Sequence, residues 1–179
     1  MAATALDVAF QGAGSATGLE IWRIENFSPV PLAKENYGQF FSGDSYVVLH
    51  TFQARSTSSL SFHVFFWLGE ATSQDESGTA ALKASELDNV GLGGAAVQYR
   101  EMQGCESPEF MALFKNIPFM ILDGGVASGF KTVDRDAYEV RLFHVKGKRI
   151  PAIRQVPVAL ESLNCGDVVS MHCFVVGKN

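Results

Sequence analysis

The sequence has few cysteines, and none of them belongs to a closely spaced pair. Cys105, Cys165 and Cys173 are an odd number of thiols with no Cys-x-x-Cys motif. Residues 1–18 contain no lysine or arginine and no long apolar run, so they do not resemble a signal peptide. This pattern favours reduced thiols in the cytoplasm over a disulfide framework.

Two further absences exclude other classes of protein. No apolar stretch approaches the ~20 residues that a membrane-spanning helix needs, so no transmembrane segment is predicted. The sequence also lacks an excess of positive charge. Its formal net charge is −5, which argues against nucleic acid as the main partner.

The charges that are present are unevenly distributed. Residues 1–129 hold 6 basic and 14 acidic side chains, whereas residues 130–179 hold 8 and 5. An acidic module followed by a basic tail suggests two kinds of contact. Ordinary sampling of surface charge explains the same asymmetry equally well.

The hydrophobic content, 47% of 179 residues, is ample for one packed domain of ~100–150 residues with a remainder too short for a second. Helices are predicted at residues 73–90 and 107–114. The predicted strands are residues 19–27, which Pro29 and Pro31 end, 44–52, 60–68, 96–103 and 138–145. By itself, this order of helices and strands predicts an α+β fold, in which a mixed central sheet lies between one long and one short helix.

The long predicted helix has two different faces. Ser73 and Glu76 fit the capping-box pattern at its start. Small and apolar residues repeat at helical spacing on the inner side, at Ala80, Ala84, Leu87 and Gly91. Leu82 lies on the opposite side, between Thr79, Lys83 and Glu86. An exposed leucine alone means little, but in this setting it is a candidate partner contact.

The glycine-rich stretch at residues 91–96 (GLGGAA) resembles a dinucleotide-binding fingerprint only superficially. That fingerprint follows a strand and opens a helix, whereas this stretch follows the predicted helix. A tight turn after the helix is the better interpretation. A nucleotide-dependent α/β enzyme is therefore the weakest of the functional hypotheses.

Two acidic residues and a basic run are the remaining candidates for chemistry. Asp44 follows Gly43 at the start of a predicted strand, and carboxylate and carbonyl oxygens together suit calcium. Spacing alone favours the structural interpretation, in which Glu76 only caps the helix and Asp44 only forms a turn. The basic run at residues 141–149 (RLFHVKGKR) suits anionic lipid head groups or an acidic protein face. It is equally compatible with a solvated strand edge.

Several motifs resemble the first repeat of the gelsolin, villin and severin family. They occur in the family's order between about residue 9 and residue 168, and residues 9–14 (AFQGAG) lean toward the villin branch. The matching segments are GLEIWRIE (18–25), YGQFFSGDSYVVL (37–49), FWLG (66–69), SQDESGTAA (73–81), VQYRE (97–101), GGVASGFK (124–131) and the basic run. The resemblance implies a gelsolin-like fold and a cytoplasmic, non-enzymatic protein of the actin cytoskeleton.

The resemblance further implies a set of binding residues. Actin, as monomer and filament, would contact the long helix through Thr79, Leu82, Lys83 and Glu86. One Ca²⁺ within the module would be held by the Gly43 carbonyl, Asp44, Glu76 and the Val126 carbonyl. A second Ca²⁺, at the actin interface, would be held by Asp88 and the carbonyls of Gly94 and Ala96. Phosphoinositide lipids and the side of the filament would contact Arg141, Lys146, Lys148 and Arg149.

The resemblance also divides the chain. It implies a flexible segment over residues 1–17, a first repeat over 18–125, a linker over 126–137 and an incomplete second repeat over 138–179. The predicted function is calcium-regulated actin binding, with capping of barbed ends, binding of monomers and weak severing. The alternative is a phosphoinositide-binding regulatory fragment with little actin activity.

Overall fold

The computed structural model describes residues 5–54, 59–125, 142–146 and 152–156. It contains two α-helices, α1 (Gln74–Glu86) and α2 (Pro108–Leu113). The strands are β1 (Gly18–Glu25), β2 (Ser28–Pro31), β3 (Gln39–Phe41), β4 (Ser45–Gln53), β5 (Leu60–Leu68), β6 (Ala96–Met102), β7 (Phe119–Leu122), β8 (Leu142–Lys146) and β9 (Ala152–Val156).

The main sheet has five strands in the order β2-β1-β4-β5-β6. Its pairs are antiparallel except for β5 and β6, which run parallel. A parallel pair needs a crossover connection, and α1 supplies it. The mixed character of the predicted sheet is therefore confirmed.

Each face of this sheet is covered by a different helix. Ala80 and Ala84 of α1, and Leu87 directly after it, are fully buried in one core cluster. Phe110 and Phe114, at the short helix α2, belong to the cluster on the other face. The sheet thus lies between a long and a short helix, and the predicted α+β fold is confirmed.

A second sheet of four strands was not predicted. Its order is β3-β7-β9-β8, with β3 and β9 both parallel to β7. Strands β8 and β9 come from the region assigned to a second repeat, yet they extend the sheet that begins with β3 and β7 of the first. The division of the chain into repeats stays a prediction, and the proposed linker lies outside the described residues.

Strand β2, the second strand of the first hairpin, contradicts the effect expected of the two prolines. Pro29 and Pro31 do not end the β structure but belong to β2, which pairs with β1. Proline removes a backbone donor, and an edge strand tolerates this because one side of it needs no partner. β2 is such an edge strand.

The N-terminal segment also differs from the flexible segment expected over residues 1–17. Residues 8–10 form a 3₁₀ turn, and Phe10 is buried against Trp22 with ring centroids 5.0 Å apart. The Trp22 indole N–H donates to the Ala9 carbonyl at 2.9 Å. An aromatic edge-to-face contact and a satisfied indole hold the described part of this segment on the core.

Candidate calcium site and helix surface

Asp44 lies at the turn between β3 and β4, where the two sheets meet. Its side chain is almost fully buried, with 1% exposed. The loop after β7 is joined to the same turn by two backbone bonds, from Ser42 N to Leu122 O at 2.8 Å and from Gly43 N to Gly124 O at 2.7 Å. The fold thus brings residues 42–44 and 122–125 together, as the first predicted calcium site requires.

The backbone at Gly125 passes directly against the Asp44 carboxylate. A Cβ atom added at Gly125 would lie 2.4 Å from Asp44 Oδ1, so no other residue fits there without displacing the carboxylate. The next residue along the chain is the predicted ligand Val126, which lies outside the described residues. The loop that leads to it nevertheless runs beside the Asp44 carboxylate.

The carbonyl groups around Asp44 differ in what they bind. Ala71 N donates to the Ser42 carbonyl at 2.8 Å, and Gly69 N donates to the Asp44 carbonyl at 3.0 Å. Within the described part of the chain, no group donates to the Gly43 carbonyl between them. An unused carbonyl oxygen beside a carboxylate suits a hard cation.

Glu76 reaches the same region from the start of α1. The capping box with Ser73 is present, as predicted from the sequence. Glu76 Oε2 accepts from Ser73 Oγ at 3.1 Å and from Thr72 Oγ1 at 3.3 Å, and Thr72 Oγ1 is 2.8 Å from Ser45 Oγ. Both side-chain contacts of Glu76 use Oε2, and Oε1 takes part in neither. Glu76 can therefore cap the helix and bind calcium at the same time.

These donors fit the ion that the resemblance implies. Asp44 and Glu76 supply carboxylates, and Gly43 supplies a carbonyl, which is the mixture of oxygens that calcium prefers. Over residues 5–54, 59–125, 142–146 and 152–156, no group of three or more His, Cys, Asp or Glu side chains is arranged to hold a metal. The candidate site depends on backbone oxygens for the rest of its ligands, and it stays a prediction.

Arg23 is the functional candidate that the sequence reasoning missed. Its Nη2 lies 2.5 Å from Asp44 Oδ2, and its guanidinium lies over the Phe41 ring, 5.0 Å from the centroid. A signal for this pair exists in the sequence, because Arg23 alternates with Leu19 and Ile21 on one face of β1, which is partly buried. A charge on such a face needs a partner of opposite sign.

Tyr46 is another side chain in contact with Asp44. Its hydroxyl accepts from Phe41 N at 3.1 Å and points to Asp44 Oδ2 at a longer 3.4 Å. Burial, and then the negative charge of Asp44, raise the pKa of the Tyr46 phenol. Tyr46 therefore keeps its proton and acts only as a neutral neighbour of the ion pair.

The second predicted site centres on Asp88, in the π-helical turn Leu87–Gly91 that ends α1. Asp88 is buried, and Gly94 and Ala96 are both next to it, as the resemblance implies. Their contacts are made by amide groups, however. Gly94 N donates to the Asp88 carbonyl at 2.8 Å, Ala96 N to Oδ1 at 2.9 Å and Gln98 Nε2 to Oδ2 at 2.7 Å. The structure thus brings the three residues together, and their role as calcium ligands stays a prediction.

The outer face of α1 presents Leu82, which is 73% exposed. Thr79 is half-buried beside it, and its hydroxyl donates to the Asp75 carbonyl at 2.8 Å within the helix. Among the described residues, Leu82 and Thr79 make no side-chain hydrogen bond or ion pair outside α1, unlike the other two predicted contact residues.

Lys83 and Glu86 have partners within the chain. Lys83 Nζ is 2.9 Å from both Asp7 Oδ2 and Glu86 Oε2. Asp7 N also donates to Glu86 Oε1 at 2.6 Å. The side chains of Lys83 and Glu86 are 20% and 12% exposed, because they hold the N-terminal segment against α1. Sequence patterns gave no signal for this contact, which joins residues 76 positions apart.

The glycine-rich stretch and the basic run are the remaining predicted features. The glycine-rich stretch follows the π-helical turn and leads into β6, so it lacks the strand-to-helix setting of a dinucleotide fingerprint. Arg141, Lys148 and Arg149 lie outside the described residues, and Lys146 is the last residue of β8. No helix in the described ranges is long and apolar enough to cross a membrane.

The sequence of this chain is similar to those of several known proteins. The sequence model of the gelsolin repeat matches residues 26–111. Villin-2 of Arabidopsis thaliana is 55% identical over 169 residues, which is 94% of this chain and 17% of that protein. The cytoplasmic gelsolin of Homarus americanus is 55% identical over 166 residues, 92% of this chain and 22% of that protein.

A shorter relative is similar over the same part of the chain. The "actin depolymerising venom protein gelsolin 1" of Platymeris rhadamanthus is 46% identical over 167 residues, 92% of this chain and 42% of that protein. The chain therefore carries a gelsolin repeat, and it belongs to the gelsolin, villin and severin family. It spans about a fifth of the length of the villin and the cytoplasmic gelsolin that it matches.

Proposed function

We propose that this chain is an actin-binding module, and not an enzyme, that acts in the cytoplasm on the actin cytoskeleton. The observation that carries the proposal is the exposure of Leu82, 73%, on a helix whose opposite side is fully buried. An apolar side chain held on a rigid helix favours partner binding, since little conformational entropy is lost on contact. The relative named for actin depolymerisation supports actin as that partner.

The proposed contact surface is narrower than the sequence suggested. Leu82 and Thr79 are retained as actin contacts, whereas Lys83 and Glu86 are assigned to holding the N-terminal segment. Burying a leucine stabilises a complex by roughly 1.5–3 kcal/mol. Leu82 is therefore proposed as the main energetic contribution of this face.

Calcium is proposed to regulate the module through Gly43, Asp44, Glu76 and Val126. When bound there, it would supply positive charge that joins the β3–β4 turn, the start of α1 and the loop after β7. Asp88, with Gly94 and Ala96, is proposed as a second site that actin completes. The chain's own part is to place Gly43 and Asp44 in the β3–β4 turn, beside the loop that leads to Val126.

We further propose that the module caps barbed ends and binds monomers, with weak severing. Severing needs a grip on the filament side, for which the basic residues Arg141, Lys146, Lys148 and Arg149 are the candidates. The same residues are the candidates for phosphoinositide lipids. Loss of pyrene fluorescence after diluting actin filaments separates the activities, because capping slows the loss and severing accelerates it.

The direct test of the contact surface is the affinity of the chain for monomeric actin, measured by analytical ultracentrifugation. Leu82→Asp should weaken binding by at least ~10-fold, because it places a charge in a contact that must lose water. Met102→Asp is the matched control. Met102 is an apolar side chain that is 50% exposed, and it is the last residue of β6 and not part of α1.

The two variants distinguish the hypotheses. Equal binding of Leu82→Asp and Met102→Asp would contradict the α1 surface. If the unmutated chain does not bind actin but sediments with vesicles that contain phosphoinositides, the lipid-binding alternative replaces the proposal.

A further inference from the structure

The ion pair of Arg23 and Asp44 occupies the centre of the candidate calcium site. Asp44 is 1% exposed and the Arg23 side chain 17% exposed. A carboxylate buried to this extent is costly without an opposite charge. In the chain alone, the Arg23 guanidinium supplies that charge at Asp44 Oδ2.

The two oxygens of Asp44 face different groups. Oδ2 faces Arg23 and Tyr46, whereas Oδ1 lies against the backbone of Gly125 on the side of the predicted carbonyl ligands. An ion bound on that side would share one carboxylate with the guanidinium. Two cations on a single buried carboxylate repel each other, and the repulsion is weakly screened away from water.

The guanidinium is itself incompletely bound. Its Nε is buried and, within the described residues, has no hydrogen-bond partner. Glu25 Oε1 is 3.8 Å away, which is too long for a hydrogen bond. The Phe41 ring adds a cation–π contact. Arg23 therefore neutralises Asp44 although not all of its N–H groups have a hydrogen-bond acceptor, which lowers the cost of moving it.

We propose that Arg23 is the resident counter-cation of this site. It neutralises Asp44 in the calcium-free chain, and it opposes calcium there, so that it sets the calcium concentration at which the site fills. The proposal rests on the calcium site of the proposed function. It adds a residue that determines the affinity of that site although it is not a ligand.

The test is the calcium affinity and the melting temperature of the full chain, by calorimetric titration and by thermal unfolding in chelator. Arg23→Gln should lower the melting temperature in chelator by at least ~5 °C, because Asp44 loses its counter-charge. It should also lower the calcium dissociation constant by ~10-fold or more, because the repulsion is gone. Arg100→Gln is the matched control, since Arg100 is an exposed arginine on β6.

Arg23→Lys keeps the experiment decisive if Arg23→Gln does not fold in chelator. It retains the positive charge, so its calcium affinity should stay within ~3-fold of the unmutated chain. Calcium should then also refold Arg23→Gln, detected by near-ultraviolet circular dichroism. Equal effects of the lysine and glutamine variants would overturn the proposal.

Two other results would overturn it in different ways. If the unmutated chain binds calcium and Arg23→Gln binds it equally or more weakly, Arg23 is a structural support and only this inference fails. If the unmutated chain binds no calcium, the calcium part of the proposed function fails as well. Actin binding through Leu82 is measured separately and is unaffected by either result.

Discussion

Asp44 and Asp88 are both buried aspartates, but their charges are satisfied in different ways. Asp44 pairs with a cation, the Arg23 guanidinium, at 2.5 Å. Asp88 receives neutral donors, Ala96 N at 2.9 Å and Gln98 Nε2 at 2.7 Å. Arg23 neutralises the charge of Asp44, whereas Asp88 keeps its negative charge and accepts hydrogen bonds from neutral groups. A cation that binds Asp44 would therefore have to compete with the Arg23 guanidinium. A cation that binds Asp88 would have only these neutral donors as competitors.

The largest loss of stability is expected for Asp44→Asn. This change leaves the Arg23 guanidinium mostly buried without its counter-charge. The free energy of unfolding should fall by about 3 kcal/mol, the lower end for a broken buried pair because Arg23 stays partly hydrated. Urea unfolding in chelator measures the loss. A loss below that of Asp88→Asn would show that the Arg23 contact is energetically unimportant.

A smaller effect is expected for Asp88→Asn. The amide still accepts from Ala96 N through its oxygen, and Gln98 can present its own oxygen to the new amide group. The loss should be about 1 kcal/mol, the difference between a charged and a neutral acceptor. The same urea experiment applies. If Asp88 holds the second calcium, this variant should also reduce the effect of calcium on actin affinity while leaving the calcium-dependent melting temperature unchanged.

Asp7→Asn extends the comparison to an ion pair near the surface. Asp7 and Lys83 are 22% and 20% exposed and lie 2.9 Å apart. Water already screens this pair, so its loss should cost about 0.5 kcal/mol. Hydrogen exchange at the amides of residues 8–14 measures whether the N-terminal segment opens more often. Unchanged exchange would show that Phe10 alone holds the segment.

The smallest effect is a difference in salt dependence. Raising sodium chloride from 0.05 to ~0.5 M shortens the screening length several-fold and weakens exposed pairs more than buried ones. The stability difference between the unmutated chain and Asp7→Asn should shrink toward zero. The difference for Asp44→Asn should change little. Parallel changes in the two differences would contradict the assignment of Asp44 to a buried pair.

Local sequence patterns predicted the parts of the fold whose cause is local. The bounds of β5, Leu60–Leu68, agree with its apolar run, and the capping box of Ser73 and Glu76 forms as its spacing indicates. Ala80, Ala84 and Leu87 are fully buried as the helical period predicts, although Gly91 is exposed. These features need only neighbouring residues.

The features that were missed depend on distant residues. β3 and β7 are short, and they pair across about 80 positions of sequence. Asp7 likewise contacts Lys83 and Glu86 from a distant part of the sequence. These two residues were predicted to contact actin, but they already bind Asp7 within the chain. Arg23 was overlooked although the alternation of β1 places it on the same partly buried face as Leu19 and Ile21. Only the tertiary structure shows that its partner is Asp44.

Calcium-regulated actin binding is tested most directly by the growth of pyrene-labelled actin from the barbed ends of short filament seeds. We expect the chain to slow this growth in calcium and to have little effect in chelator, and we expect Leu82→Asp to lose the effect. Growth that is unchanged in both conditions, or slowed equally with and without calcium, would contradict a calcium-regulated actin-binding module.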